Sequence, residues 1–241
     1  MKLFSTISRR ACLLILLSAA CLSATASHRD DKPKKPPRGA IILFDGKDTA
    51  AWTAGGSKPV GWKNEDGVLE VVPRSGSIVT KESYGDFMLH LEFNLASMPG
   101  KKEQSKSNSG VHLHGLYEIQ ILDSIDNPTY KAGACGSIYL QKDPDKNVCK
   151  APGEWQTYDI TFRAPRFDSD GKVTEKPRVT VIWNGTKVHD NVEINGPTHA
   201  GSTAPMVATG PISLQDHGCP VKFRNIWIRP IKPQSAPTLP P

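Results

Sequence analysis

Phe87-Met-Leu-His-Leu-Glu-Phe-Asn-Leu95 alternates along its whole length. With the period of two that a pleated strand imposes, Phe87, Leu89, Leu91, Phe93 and Leu95 share one face, and His90, Glu92 and Asn94 share the other. A helix would scatter those apolar groups around its axis, so the segment reads as a strand with one core face.

Outward from it the same signal recurs. Tyr158, Ile160 and Phe162 oppose Thr157, Asp159 and Thr161. Further runs rich in β-branched and aromatic residues, separated by Gly, Pro, Asn and Asp, predict strands over 41–44, 68–72, 77–80, 110–114, 117–122, 137–140, 156–163, 178–183, 187–194, 212–215 and 221–229. Asn184-Gly185 between two of them predicts a tight hairpin. No helical periodicity of useful length interrupts the series. So many short alternating strands predict an all-β fold, two antiparallel sheets stacked through one core as a sandwich or jelly roll.

The chain has 241 residues. Residues 1–26 read as a secretory signal: Lys2, Arg9 and Arg10 precede an apolar run from Ala11 to Leu22, which ends in Ala24-Thr25-Ala26. The run is short for a membrane span, and Ser18-Ala19-Ala20-Cys21 lacks the leucine of a lipoprotein box. An exported, periplasmic or extracellular protein is expected. Residues 27–39 read as a basic Pro/Lys-rich linker, 40–230 as one domain and 231–241 as a Pro-rich tail. Loss of the signal removes three of 30 basic and none of 24 acidic residues, which takes the net charge from +6 to +3. Much of that excess lies in Lys32 to Arg38, a solvated linker and not a nucleic-acid surface. Three cysteines remain: Cys135, Cys149 and Cys219. The first two bracket a loop whose closure by a disulfide would contribute about 3 kcal/mol; three buried thiols are the alternative.

One stretch carries more polar groups than folding requires, Asn108-Ser-Gly-Val-His-Leu-His-Gly-Leu-Tyr-Glu-Ile-Gln-Ile-Leu-Asp-Ser124. Val111 and Leu113 fall on one face and His112 and His114 on the other; beyond the Gly115-Leu116 break, Glu118 and Gln120 oppose Tyr117, Ile119 and Ile121. Strict alternation sends Asp123 away from Glu118, and a bulge at the extra residue would return it.

Several landmarks together resemble the 3-keto-disaccharide hydrolase family. They are Leu43-Phe-Asp-Gly-Lys-Asp48 with Trp52, Asn64-Glu-Asp-Gly-Val-Leu69, Tyr84-Gly-Asp-Phe87, Asn108-Ser-Gly110, Tyr117-Glu-Ile-Gln-Ile-Leu-Asp-Ser124, Pro152-Gly-Glu-Trp-Gln-Thr-Tyr158, Gly210-Pro-Ile-Ser-Leu-Gln-Asp-His-Gly218 and Phe223-Arg-Asn-Ile-Trp227. The resemblance spans residues 40–230. It implies a concanavalin A-like jelly roll, export, and action on glycosides already oxidised at C3 by a sugar 3-dehydrogenase.

On that footing Glu118 and Asp123 are expected as acid and base, with Gln120 orienting them, and Asn108, His112, His114, Gln215, His217 and Arg224 as groups that hold the ketone and ring. Two carboxylates suit direct hydrolysis. A C3 ketone also acidifies the C2 hydrogen and opens elimination followed by hydration. His112-x-His114 has strand spacing for two metal ligands, with Glu118 as a third, so a divalent metal is an option beside plain solvated or sugar-stacking roles; no other cofactor is evident. The rivals are a non-catalytic lectin-like module, which would not need paired acids, and an ordinary endoglucanase, whose Glu-x-Asp-x-x-Glu strand would want an aspartate where Gln120 stands.

Overall fold

A computed structural model describes residues 33–55, 58–199 and 201–232. The signal sequence, the linker up to Lys32 and the tail from Pro233 lie outside the described residues.

Fifteen strands, numbered in chain order, make two large antiparallel sheets and one small hairpin. The eight-stranded sheet contains β1 (Ile41–Phe44), β3 (Lys63–Glu65), β4 (Val68–Glu70), β6 (Phe87–Asn94), β9 (Trp155–Arg163), β12 (Arg178–Trp183), β13 (Thr186–Glu193) and β15 (Lys222–Pro230). Its order is β13-β12-β9-β6-β15-β4-β3, with β1 paired to β15. The five-stranded sheet has the order β2 (Trp52–Ala54), β5 (Ile78–Thr80), β14 (Ser213–Leu214), β7 (Asn108–Leu113), β8 (Tyr117–Leu122). β10 (Arg166–Phe167) and β11 (Val173–Glu175) form the hairpin. The chain is all-β, a sandwich of jelly-roll type, with one short 3₁₀ turn, Glu103–Ser105, and no α-helix among the described residues.

Between the sheets, Phe87, Leu89, Leu91 and Phe93 of β6 and Tyr158, Ile160 and Phe162 of β9 meet Ile78, Val111, Leu113, Ile119, Ile121 and Leu214 from the opposite layer. The phenyl rings of Phe87 and Phe162 stack at 5.2 Å, and Phe93 and Tyr158 lie 4.8 Å apart. Each such side chain contributes about 1.5–3 kcal/mol on burial. The Asn184-Gly185 turn forms as expected, with φ of 49° and 77°.

The outer face of β6 is not open to solvent as its polar residues suggest. His90 and Glu92 are buried there, His90 stacked at 5.1 Å on Trp227. The end of the basic linker covers them: the Lys34 amide donates to Glu92 Oε1 at 3.3 Å, Lys34 Nζ reaches Asp159 at 2.9 Å, and Asn225 donates to the Lys34 carbonyl. Lys34 therefore anchors the end of the linker on this polar face.

The three described cysteines are free thiols. Burial pushes the Cys135 thiol up, and the neighbouring Cys135 thiol draws Cys149 down.

Candidate functional site

The site is built on the outer face of the five-stranded sheet by register. β7 and β8 pair without a shift from Asn108↔Leu122 to Leu113↔Tyr117. This sets His112 opposite Glu118 and Gly110 opposite Gln120. Ser213 of β14 lies across from His112, and the Gln215 amide donates to the Gly110 carbonyl at 3.0 Å. Two cross-strand rows result, Ser213–His112–Glu118 and Gln215–Gly110–Gln120, with apolar Val111, Ile119 and Leu214 turned to the core.

Glu118 is only 4% exposed. Its carboxylate occupies the notch that Gly110 leaves: a Cβ on Gly110 would come within 2.3 Å of Glu118 Oε1. The Glu118 amide donates to Thr198 Oγ1 at 2.9 Å. Burial pushes the Glu118 carboxyl up to about 7. His112 Nε2 stands 3.6 Å from Glu118 Oε2, and burial, reinforced by the His199 charge, draws this imidazole down to about 4. Low polarity thus drives both partners toward their neutral forms, the direction desolvation always takes. Around them the buried Asn108 Oδ1, His112 Nδ1, Gln120 Oε1 and Gln215 Oε1 have no hydrogen-bond partner among the described residues. Buried polar atoms are normally paired, so four unpaired acceptors and ring nitrogens in one patch set it apart from the apolar core behind it.

A residue that the sequence did not single out organises this patch. Gln104, in the 3₁₀ turn, accepts through Oε1 from Asn108 Nδ2 and Gln120 Nε2, both at 3.1 Å. Its Nε2 donates to Thr129 Oγ1 at 2.8 Å and the Gly133 carbonyl at 2.9 Å. The loops 97–107 and 123–154 are thereby tied to the floor. Nothing in local periodicity announces Gln104, because its partners arrive from distant segments.

Three expected site residues are placed elsewhere. The bulge that would return Asp123 is absent: the ladder runs on unbroken, with the Asp123 amide on the Ser107 carbonyl at 2.9 Å. Asp123 therefore follows the pleat of Ile119 and Ile121, about 16 Å along the chain from Glu118, and pairs with Lys106 Nζ at 3.1 Å. His114 follows the end of β7 with φ of +53°, which turns it inward; its ring lies 4.7 Å from Phe162 and its Nε2 meets the Gly85 carbonyl at 3.2 Å. His112 and His114 share no face, so the His-x-His metal pair does not form. No group of three or more His, Cys, Asp or Glu suited to a metal occurs among the described residues. Arg224 belongs to the other sheet, where Nε reaches Glu92 Oε2 at 2.6 Å and the guanidinium lies 4.0 Å above the Trp155 ring. His217 is exposed in the turn after Gln215, next to Asp216, whose carboxylate accepts from the Gly76 and Gly218 amides.

Residues 39–229 match the family described as the 3-keto-alpha-glucoside-1,2-lyase-like domain. The chain belongs to that family. A candidate glycosyl hydrolase from Parabacteroides distasonis is similar in structure, with 42% identity, 81% of this chain and 85% of that one covered, and a TM-score of 0.76. A second from the same organism has 27% identity over 80% and 99% of the two chains, with a TM-score of 0.59. A third, at 23% identity with 80% and 94% covered and a TM-score of 0.62, shares the fold. No curated protein matches the chain. These relationships to glycosyl-hydrolase-like proteins support a carbohydrate-active domain. No helix among the described residues is long and apolar enough to cross a membrane.

Proposed function

We propose that this domain is an exported enzyme that cleaves 3-keto-glycosides by elimination across C1 and C2 followed by hydration. The observation that carries the reading is the isolation of Glu118. It is a buried carboxylate with its pKa raised to about 7 by burial, and Asp123, its expected partner, turns away to Lys106. A two-carboxylate hydrolase needs a second acid about 5–9.5 Å away. Elimination needs one base poised near neutrality, which is where a general base is most effective. Glu118 takes the C2 proton that the C3 ketone has acidified. The unpartnered amide oxygens of Asn108, Gln120 and Gln215 accept from ring hydroxyls, and the neutral imidazole of His112 donates to the enolate oxygen. The family's description as 3-keto-alpha-glucoside-1,2-lyase-like supports the same bond cleavage. A sugar 3-dehydrogenase would have to supply the ketone, and residues 1–26 the export signal.

The purified domain is incubated in D₂O with a 3-keto-disaccharide and with its unoxidised parent. Cleavage of the ketone alone, with deuterium at C2 of the released sugar at first turnover, is expected. Cleavage with C2 fully protiated would replace elimination by direct hydrolysis, cleavage of the parent alone would mean an ordinary glycosidase, and binding without turnover a lectin-like module.

A further inference from the structure

Elimination at Glu118 needs a proton for the departing glycosidic oxygen, and the residues already placed do not supply it: His112 is neutral and Asp123 is elsewhere. Two tyrosines stand beside the base. Residues 136–139 add to the outer edge of β8, with Gln120 N on Ser137 O at 3.0 Å, Gly136 N on Gln120 O at 2.9 Å and Tyr139 N on Glu118 O at 3.1 Å. That pairing sets Tyr139 in the same cross-strand row as Glu118 and His112. The Tyr139 hydroxyl lies 2.5 Å from that of Tyr130, with the rings edge to face at 6.2 Å.

The surrounding backbone holds the pair. Tyr130 packs on Gly133, where a Cβ would come within 2.4 Å of its ring. Ala132 and Leu140 are left-handed, with φ of +54° and +59°, and the Leu140 amide bonds the Ala132 carbonyl at 2.9 Å. Non-glycine residues held there cost free energy that the rest of the structure must offset. Tyr130 nevertheless remains 46% exposed. In a pair of phenols one hydroxyl donates to the other, which leaves one O–H free for a ligand. Burial, then the Tyr139 hydroxyl and the Glu118 charge, push Tyr130 up. The phenol therefore keeps its proton where Glu118 loses its own.

We propose that the Tyr130–Tyr139 pair is the general acid of this site. The inference rests on the elimination reading above. As Glu118 takes the proton from C2, the C2–H pair forms the enolate. The enolate then expels the C1 oxygen, which takes the free phenolic proton and leaves as the alcohol. Water next adds across C1 and C2: its hydroxyl bonds to C1, its proton restores the phenol, and Glu118, whose proton exchanges with solvent while the unsaturated intermediate is bound, protonates C2. One water is consumed, one glycosidic bond is broken, and both groups regain their starting state.

The test compares two 3-keto-glucosides, one with a sugar alcohol as leaving group and one with 4-nitrophenol, which departs without help. Wild type, Tyr130→Phe, Tyr139→Phe and the double variant are assayed, with thermal unfolding as a check on folding. The double variant is expected to lose on the order of 100-fold in kcat on the sugar leaving group, and at least 30-fold less on the nitrophenyl substrate. Equal losses on the two would make the pair a stacking or positioning element and overturn the proposal, as would no loss on either. If the wild type cleaves only the unoxidised parent, the elimination reading fails first, and the two failures are thereby distinguished.

Discussion

The carboxylate of Glu118 rests in the space that Gly110 leaves on the neighbouring strand, so near that a Cβ there would come within 2.3 Å of Oε1 and 2.9 Å of Cδ. The strand pairing makes this contact unavoidable, because Gly110 stands one pleat along from His112, the direct partner of Glu118. Gly110→Ala is expected to displace the carboxylate and lower kcat/KM by about 100-fold, the scale of a misplacement near 1 Å. Steady-state kinetics on a 3-keto-disaccharide checks this, and a variant as active as wild type would mean that the carboxylate works from another position.

The pH dependence of activity follows from the same burial. With Glu118 ionising at about 7 and acting as the base, kcat/KM should rise with pH and level off above 7. Glu118→Gln should remove both the activity and that limb. A limb that survives in this variant would assign it to another group.

Stability carries opposed signs from the two members of the pair. Glu118 goes from 4.5 unfolded to about 7 folded, so the native state binds the extra proton and stability falls as pH rises between those values. His112 goes from 6.5 to about 4, so the unfolded state binds the extra proton and stability rises between pH 4 and 6.5. Where the windows overlap the slopes cancel. Glu118→Gln should therefore stabilise the protein by about 3 kcal/mol above pH 7. His112→Asn should expose a falling slope between pH 4.5 and 7. Denaturant titrations at a series of pH values measure both; flat profiles in both variants would contradict the raised and lowered values.

Asp123→Asn should separate folding from chemistry. It leaves Lys106 without its carboxylate in a largely buried position, at a cost of about 1–3 kcal/mol. kcat per folded molecule should stay within a few-fold of wild type. A loss of 100-fold or more without unfolding would return Asp123 to the site.

On the opposite face, burial works against the charge of Glu92, but hydrogen bonds from His90, Asn225 and Arg224 outweigh it and hold the carboxyl down at about 2. That contribution, about 3 kcal/mol, is present above pH 4.5 and lost as pH falls toward 2. His90 is raised, its bonds to Asp159 and Glu92 overcoming burial, so its share is present below pH 6.5 and fades as pH rises through its folded value. Glu92→Gln should flatten the acid side of the stability profile; an unchanged profile would place the acid transition elsewhere.

What could be read from the sequence was local. β6, β8, β9 and β12 alternate within themselves, and Asn184-Gly185 carries its own turn, so each follows from a few consecutive residues. Lys63–Glu65 and the β10–β11 hairpin were not anticipated, because an exposed edge strand has no apolar face to alternate. At the site, His112, Glu118, Gln120 and Asn108 share a face for the same local reason. His114 was misplaced by a single left-handed residue, and Asp123 by a bulge that the continuing ladder to Ser107 makes unnecessary. Arg224 was assigned to the site because a sequence does not say which of two sheets a strand joins. Gln104, Tyr130 and Tyr139 escaped notice because only long-range closure of the loops brings them to the strand.

The segment 136–139 has one more consequence. β8 is the last strand of its sheet, and an uncovered last strand is a template for unwanted pairing between molecules. The backbone bonds that hold Tyr139 beside Glu118 also cap that border. Shortening this segment would uncover the border of β8 and favour its pairing with a second molecule, so the backbone that holds Tyr139 also protects the sheet from association.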